Sequence, residues 1–423
     1  MNATGQARLV VVGGGAAGLM AAGQAALLGA DVVVLEKMQR PGRKLCITGK
    51  GRCNLTNVAP LAEFLGHFGP TGPFLRQAFH RFFTPELLEF FQELRLPVVT
   101  ERGGRVFPTS GKAPEVLAVF EQWLARCGVT IRTGATVDRL HIENGVLTGV
   151  SCAGATITCY ALILAAGGAS YPLTGSTGDG YWMAEQAGHR IVPIRPALVP
   201  LITGGSFAAR MEGLQLRNIL ARLFVDGKKR AEAFGELAFM EFGLSGPVIL
   251  TLSGRIVDAL HEGREVELLL DLKSALDEKK LDARLLRDLE QRRLEPLADV
   301  LRGLLPKEMV AVALEEIDLP AERLAGTIRA EERKRLRHWL KNFRLRITGH
   351  RPLAEAIVTA GGVDTREVDP RTMESRLVRG LYFAGEVLDI QADTGGYNLQ
   401  AAFSTGWLAG CAAAARLTSR AEE

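Results

Sequence analysis

The run Arg8-Leu-Val-Val-Val12, followed at once by Gly13-x-Gly15-x-x-Gly18, constrains this chain more than any other feature. Continuous β-branched and aliphatic residues predict a strand buried on both faces, as in a parallel sheet. The small-residue stretch from Ala16 to Leu28 predicts a helix that stops at Gly29. Val32-Val-Val-Leu35 predicts a second buried strand, with Glu36 at its end. Gly13 permits the tight turn, Gly15 lets backbone approach a pyrophosphate, and Gly18 lets the helix lie close to the strand. The first helical turn, with Ala16 and Ala17, presents free amides and the positive end of the helix dipole to phosphate oxygens. Glu36 follows Gly18 by 18 residues and can accept two hydrogen bonds from an adenosine ribose. This pattern predicts dinucleotide binding. A glycine-rich turn in some other α/β fold would leave Glu36 without a role. The motif alone does not separate FAD from NAD.

A chain of 423 residues exceeds what one core usually encloses, so two or three domains are expected. Forty-seven glycines against 6% aromatic residues suit an α/β protein with many strand-to-helix turns. The net charge of +4 is too small to make nucleic acid the default partner. Six cysteines, at 46, 53, 127, 152, 159 and 411, form no C-x-x-C pair and match no His spacing. Neither a metal site nor a dithiol is predicted, and isolated thiols fit a reducing compartment. Met1 to Arg8 is a polar lead without signal-peptide layout, and no apolar run nears the ~20 residues of a membrane span. The expectation is a soluble cytoplasmic protein with no membrane partner.

Further strands are predicted at Val129–Ile131, Ala135–Val137 and Tyr160–Ala165, the last leading into Ala166-Gly167-Gly168. Asn144-Gly145 predicts a type I′ hairpin turn. Near the end, Gly380–Ala384 predicts another buried strand before Gly385-Glu386. Gly395-Gly396-Tyr397-Asn398 then opens a helix over roughly Leu399 to Ala415. Strand–Gly–helix corners at both ends predict one domain built from both termini, with the middle inserted. The middle reads as short β runs, with a turn at Asp226-Gly227 and a strand at Pro247–Leu252. From Ser274, a candidate cap, it turns helical: Leu281, Leu285 and Leu289 share a face, and Pro296, Pro306 and Pro320 divide it into short helices.

Several blocks together resemble the YhiN/BaiN-like family of NAD(P)/FAD-dependent oxidoreductases. They are Pro41-Gly-Arg-Lys-Leu-Cys-Ile-Thr-Gly-Lys-Gly-Arg-Cys-Asn-Leu-Thr-Asn57, Gly104-Arg-Val-Phe-Pro108 with Lys112-Ala113, Gly243-Leu-Ser-Gly-Pro247, Thr372-Met-Glu-Ser375, and Phe383-Ala-Gly-Glu-Val-Leu-Asp389 with Gly395–Gln400. The chain departs from the family at Met240-Glu241, where members often carry Thr-His, and over Ile390–Thr394. The resemblance implies a glutathione-reductase-like flavoprotein of the fumarate reductase and L-aspartate oxidase branch. Its α/β fold would be a Rossmann-like FAD-binding domain of the GR2 type with an inserted β-rich domain and a helical cap. The corresponding ranges are 1–190 with 351–423, 191–273 with 343–350, and 274–342.

By that likeness Gly13, Gly15, Ala16, Ala17 and Gly18 hold the pyrophosphate, Glu36 with Lys37 the ribose, and Val137 the adenine through its backbone. Arg43, Lys44, Thr48 and Gly49 wrap the flavin edge, and Ala166, Gly167, Gly168, Gly385 and Glu386 border the cofactor. The amides of Gly396, Tyr397 and Asn398 face the flavin pyrimidine, where a helix amino terminus stabilises the negative charge of reduced flavin by ~0.3–2 kcal/mol. Activities range from oxidation of small amines to reduction of conjugated enones, with NAD(P)H a candidate direct donor, since no second dinucleotide fingerprint is present.

Individual side chains divide between functional and structural readings. Cys53, beside Arg52, reads as a packed thiol rather than a redox group. Arg43 and Arg52 read as phosphate or loop anchors. His350 is a candidate acid or base, but reads first as a hydrogen-bonded structural residue. Tyr171 and Tyr397 read as packing residues, and Gly361-Gly362 as a close backbone approach. No catalytic acid or base stands out. Eight cations between Arg329 and Arg346 face Glu331 and Glu332. They read as a solvated helix with a Glu331–Arg335 pair, and alternatively as an RNA-docking cap of an RNA-modifying flavoprotein. Substrate is expected between the inserted domain and the flavin.

Overall fold

The structure, a computed structural model, describes residues 8–422, with side chains through residue 417. Most of the lead Met1 to Arg8 therefore lies outside the described residues. The chain divides into two compact units, one running to Pro196 and resuming at Ala356, the other Ala197–Glu355.

The first unit is organised by a five-stranded parallel sheet in the order Leu381–Phe383, Ala161–Leu164, Arg8–Val12, Asp31–Glu36, Thr130–Thr133. The apolar runs are strands because both faces are covered: Leu9, Val10, Val11, Val33 and Val34 are fully buried. Burying each such side chain contributes roughly 1.5–3 kcal/mol. The first helix, Ala16–Leu27, ends in a Schellman motif. Ala30 N donates to Ala25 O, Gly29 N donates to Ala26 O, and Gly29 carries the φ of +89° that this ending needs. The closing helix, Tyr397–Glu422, starts two residues earlier than expected and packs across the first helix. Cβ atoms on its Gly406 and Gly410 would sit 2.3 and 2.5 Å from the Ala17 and Ala21 carbonyl oxygens.

Smaller sheets complete this unit. Val137–Glu143, Val146–Cys152 and Ala155–Thr158 form a meander whose first turn is Asn144-Gly145, with φ of 51° and 74°. Ala135 and Thr136 lie outside any strand. Ile191–Ala197 pairs with Val358–Val363. Gly361 and Gly362 there have positive φ, and Cβ atoms on them would meet the Pro193 and Val387 carbonyls at 2.3 and 2.7 Å, the close approach expected.

The second unit is a closed six-stranded barrel with helices packed on it in one continuous core. Its central hairpin, Gln215–Val225 and Lys228–Met240, turns at Asp226-Gly227 as predicted, but the strands have 11 and 13 residues rather than being short. Pro247–Leu252 is not a strand. It opens the helix Pro247–His261, because proline suits a first helical turn and Val248, Leu252 and Ile256 recur at helical spacing against the core. Ser274 is not the cap of the next helix. Asp277 is, accepting from Lys280 N at 2.7 Å, while the Ser274 hydroxyl donates to Asn218 O. Leu281, Leu285 and Leu289 are buried on one face as expected. No helix among the described residues is long and apolar enough to cross a membrane.

Candidate functional site

At the turn after the first strand, Gly13 has φ +102° and its amide donates to Leu35 O at 2.9 Å. A Cβ on Gly13 would lie 2.4 Å from Ala165 O, and one on Gly18 would lie 1.9 Å from Gly13 O. At Gly15 a Cβ would meet nothing within 4 Å, so space opens directly over the helix start. The first intrahelical bond runs from Leu19 N to Gly15 O, which leaves the amides of Ala16, Ala17 and Gly18 without intrahelical carbonyls. Glu36 is fixed by two backbone donors: Gly14 N to Oε2 at 2.7 Å and Met38 N to Oε1 at 2.8 Å. Each carboxylate oxygen retains a lone pair for a further donor. Ala135 N donates to Glu36 O, which brings the segment leading to Val137 beside this carboxylate. Lys37 turns elsewhere, to Asp179 at 2.6 Å and to the Thr177 hydroxyl.

The segment Arg43–Gly51 is a helix broken inside, with Thr48 extended (ψ 146°) and Gly49 and Lys50 left-handed (φ 59° and 58°). Cys53 is left-handed as well. Such strained backbone in a short segment is common at ligand clamps. Arg43, Gly49, Lys50 and Arg52 are exposed. The Cys53 thiol is buried, and burial pushes it up to about 12, so it is no nucleophile at neutral pH. Burial raises the other five free thiols too.

Lys44 reaches across the unit to Ser170 Oγ at 2.7 Å and Glu386 Oε2 at 2.6 Å. Glu386 Oε1 also accepts from Thr359 N at 2.8 Å and Ser170 Oγ at 3.2 Å. Thr359 Oγ1 accepts from Ala169 N and Ser170 N, binding the turn after Ala166-Gly167-Gly168 to this cluster. Gly385 has φ +75°, and a Cβ there would lie 2.8 Å from the Ala17 Cβ. A bulkier residue would push on the first helical turn.

The closing helix begins against the short strand Thr56–Asn57. A Cβ on Gly396 (φ +103°) would lie 2.4 Å from Thr56 O, and Asn57 Nδ2 donates to Gly395 O at 3.1 Å. Its internal bonds start with Gln400 N to Gly396 O, so the amides of Tyr397 and Asn398 have no intrahelical acceptor. The Asn398 side chain is occupied in shaping the preceding loop, through Ala392 N, Ala392 O and Asp393 O. The Tyr397 ring packs, stacked on His67 at 3.9 Å and edge-on to Phe64 at 4.8 Å. Three buried amide oxygens, Asn54 Oδ1, Gln391 Oε1 and Gln400 Oε1, have no donor among the described residues.

Sequence reasoning missed Ser170, Thr359, Asn54 and Gln391. Thr359 sits in an apolar strand and becomes visible only when the chain ends are brought together. In the second unit, the His350 ring engages Arg351 O through Nδ1 at 2.9 Å, the structural reading. Tyr171 is left-handed, with φ 53°.

A parallel sheet with a glycine turn, a fixed acidic acceptor and a second helix amino terminus defines an oxidoreductase of the flavin-dependent class. The chain belongs to the family described as HI0933-like protein Rossmann domain, which matches residues 7–412. It is 34% identical over 411 residues to the 3-dehydro-bile acid delta(4,6)-reductase of Clostridium scindens, covering 97% of this chain and 99% of that one. It is 30% identical over 407 residues to the ribosomal RNA dihydrouridine synthase of Escherichia coli, covering 94% and 96%. Among solved structures, the 3-ketosteroid-delta4-(5alpha)-dehydrogenase of Rhodococcus jostii RHA1 shares the fold, with TM-score 0.51, 16% identity and 97% of each chain covered.

Proposed function

We propose that the chain holds one noncovalent FAD and reduces a carbon–carbon double bond conjugated to a carbonyl. The observation that carries this reading is a pair of helix amino termini in one unit, one opening over Gly15 beside Glu36, the other abutting the segment Arg43–Asn57. Glu36 would accept from the adenosine ribose, the backbone at Val137 would meet the adenine, and Gly13 to Gly18 would hold the pyrophosphate. Lys44, Thr48 and Gly49, with Ala166–Gly168, Gly385 and Glu386, would border the flavin. The orphan acceptors Asn54 Oδ1 and Gln391 Oε1 suit donors such as ribityl hydroxyls or the flavin N3–H. When bound, the flavin supplies hydride transfer at N5. The chain's part is to orient it, with the amides of Gly396, Tyr397 and Asn398 opposing negative charge on its pyrimidine edge. Lys37 and the Asn398 side chain are engaged elsewhere and would act on the site's shape.

Both named relatives support reduction of a conjugated bond, one a delta(4,6)-reductase and the other a dihydrouridine synthase. A small enone is the first reading of the substrate. An RNA base is the second, favoured by the 30% identity to the latter across 94% of this chain. NAD(P)H is the proposed donor, and unpaired thiols fit the cytoplasm. An anaerobic screen tests this. NADH or NADPH should bleach the flavin, and a 4-en-3-one steroid or uridine-containing RNA should restore its colour. Bleaching by neither nicotinamide, with reoxidation by neither acceptor, contradicts the reading.

A further inference from the structure

The positive charge that the sequence concentrates between Arg329 and Arg346 is largely neutralised within its own unit. Arg333 and Arg337 pair with Asp282, both at 3.1 Å, and Lys341 with Asp271 at 2.5 Å. Arg344 pairs with Glu267 at 3.4 Å, Arg346 with Glu265 at 3.9 Å and Arg329 with Glu332 at 3.5 Å. Of the eight, Lys334 and Arg335 have no carboxylate within ion-pair distance among the described residues. A surface so compensated offers a polyanion little.

The first unit carries a less compensated surface. Lys50, Arg52, Arg102, Arg105 and Lys112 are all exposed. They form one rim. The guanidinium carbons of Arg52 and Arg105 lie 4.2 and 5.8 Å from the centroid of the Phe107 ring, and Arg105 Nε donates to Arg102 O at 3.2 Å. A Cβ on Gly111 would lie 3.7 Å from Arg52 Nε, which puts Lys112 on the same rim. Against these five cations stand Glu101, which takes Arg52 at 2.5 Å, and Glu115, whose amide donates to Lys112 O. The rim flanks the strand Arg105–Pro108, whose partner Thr56–Asn57 touches the start of the closing helix.

We propose that this rim seats the phosphate backbone of a single-stranded RNA, so that a base reaches the site; the inference rests on the proposed flavin position. The spread of charge favours this ligand. The strand Arg105–Pro108 alone spans ~10 Å at ~3.3 Å per residue, with cations at its start and beyond its end. One small carboxylate meets one or two such charges, whereas a strand of phosphates meets them in succession. Arg52 spends both terminal nitrogens on Glu101, so the phosphate oxygens would be met by Arg102, Arg105 and the two lysines, which have no carboxylate within ion-pair distance among the described residues.

The test is fluorescence anisotropy of a labelled 20-nucleotide poly(U) with the holoprotein between 50 and 300 mM salt. With three to five phosphate contacts, the logarithm of affinity should fall against that of salt with a slope of about −2 to −3.5. The double variant Arg102→Glu/Arg105→Glu should bind at least about tenfold more weakly at 50 mM with a shallower slope. Lys334→Glu/Arg335→Glu should bind as the parent does. Absence of binding by the parent, or equal losses in the two variants, overturns the proposal. A raised KM for NADPH in the first variant, with poly(U) binding unchanged, assigns the rim to the nicotinamide donor and also overturns it. Flavin absorbance is read separately on every sample. Flavin-free parent protein with rim-dependent RNA binding refutes the proposed flavin seat, not the rim; flavin-loaded protein without such binding refutes the rim.

Discussion

His189 shows how a single buried side chain sets a pH limit on this molecule. Its ring lies inside the first unit, with Nδ1 3.1 Å from Glu367 Oε2 and Nε2 2.7 Å from Ser375 Oγ. Burial holds its pKa below the usual histidine range, outweighing the opposing pull of Glu367. A depressed folded pKa means the unfolded chain takes up the proton first. The stabilisation is therefore complete above about pH 6.5 and declines as pH falls through and below that value, by at most about 1.4 kcal/mol per unit. Thermal denaturation from pH 8 to 5.5 should show Tm falling with acidity, and His189→Gln should flatten that fall; an unchanged slope assigns it to other groups. Cys53 gives a second prediction. With its thiol raised to about 12, only ~1 in 10⁴ is thiolate at pH 8, so Ellman's reagent should label it in unfolded but not folded protein. Rapid labelling of Cys53 in the native state would contradict its burial.

The first and closing helices touch at the turn whose amides are proposed to meet phosphate. Gly406 lies against the Ala17 carbonyl, in the very turn that carries those amides. A methyl at Gly406 cannot fit without shifting one helix, an overpacking cost of about 1–3 kcal/mol. Gly406→Ala should lower Tm by several degrees and weaken FAD binding together, measured by thermal shift with and without cofactor. Equal Tm and equal affinity would show that the contact yields freely. Elements near the glycine turn were legible in the sequence because strand, turn, helix and acidic terminus follow one another within 36 residues. The helix Pro247–His261 was not, since a short apolar run reads equally as strand or helix until its period is counted over three turns. Likewise Asp277 and Ser274 are both sound caps, and only the position of the leucine stripe decides between them.

At the scale of the whole molecule, the sheet joins Leu381–Phe383 to Ala161–Leu164, as the glycine corners at both ends of the chain implied. What spacing could not supply was long-range company. Thr359 and Glu386 meet Ser170 across some 190 and 216 positions, and the partners of the basic helix come from Asp271, Asp282 and the barrel strands. Residues Ala197–Glu355 have their own core, and Leu201 pairs with His350, so the two ends of that segment meet. Expressed alone, this segment should give a cooperative thermal transition and bind no flavin. A broad, non-cooperative melt would show that it depends on the rest of the chain. In the proposed reading, FAD would be held by its adenosine diphosphate half at Gly13–Gly18 and Glu36. Hydrogen bonds to a charged acceptor contribute about 1.5–3 kcal/mol. Titration of flavin-free protein with FAD and with FMN tests this most directly: one FAD should bind per chain at least about tenfold more tightly than FMN, and equal affinity for the two, or uptake of neither, would contradict the account.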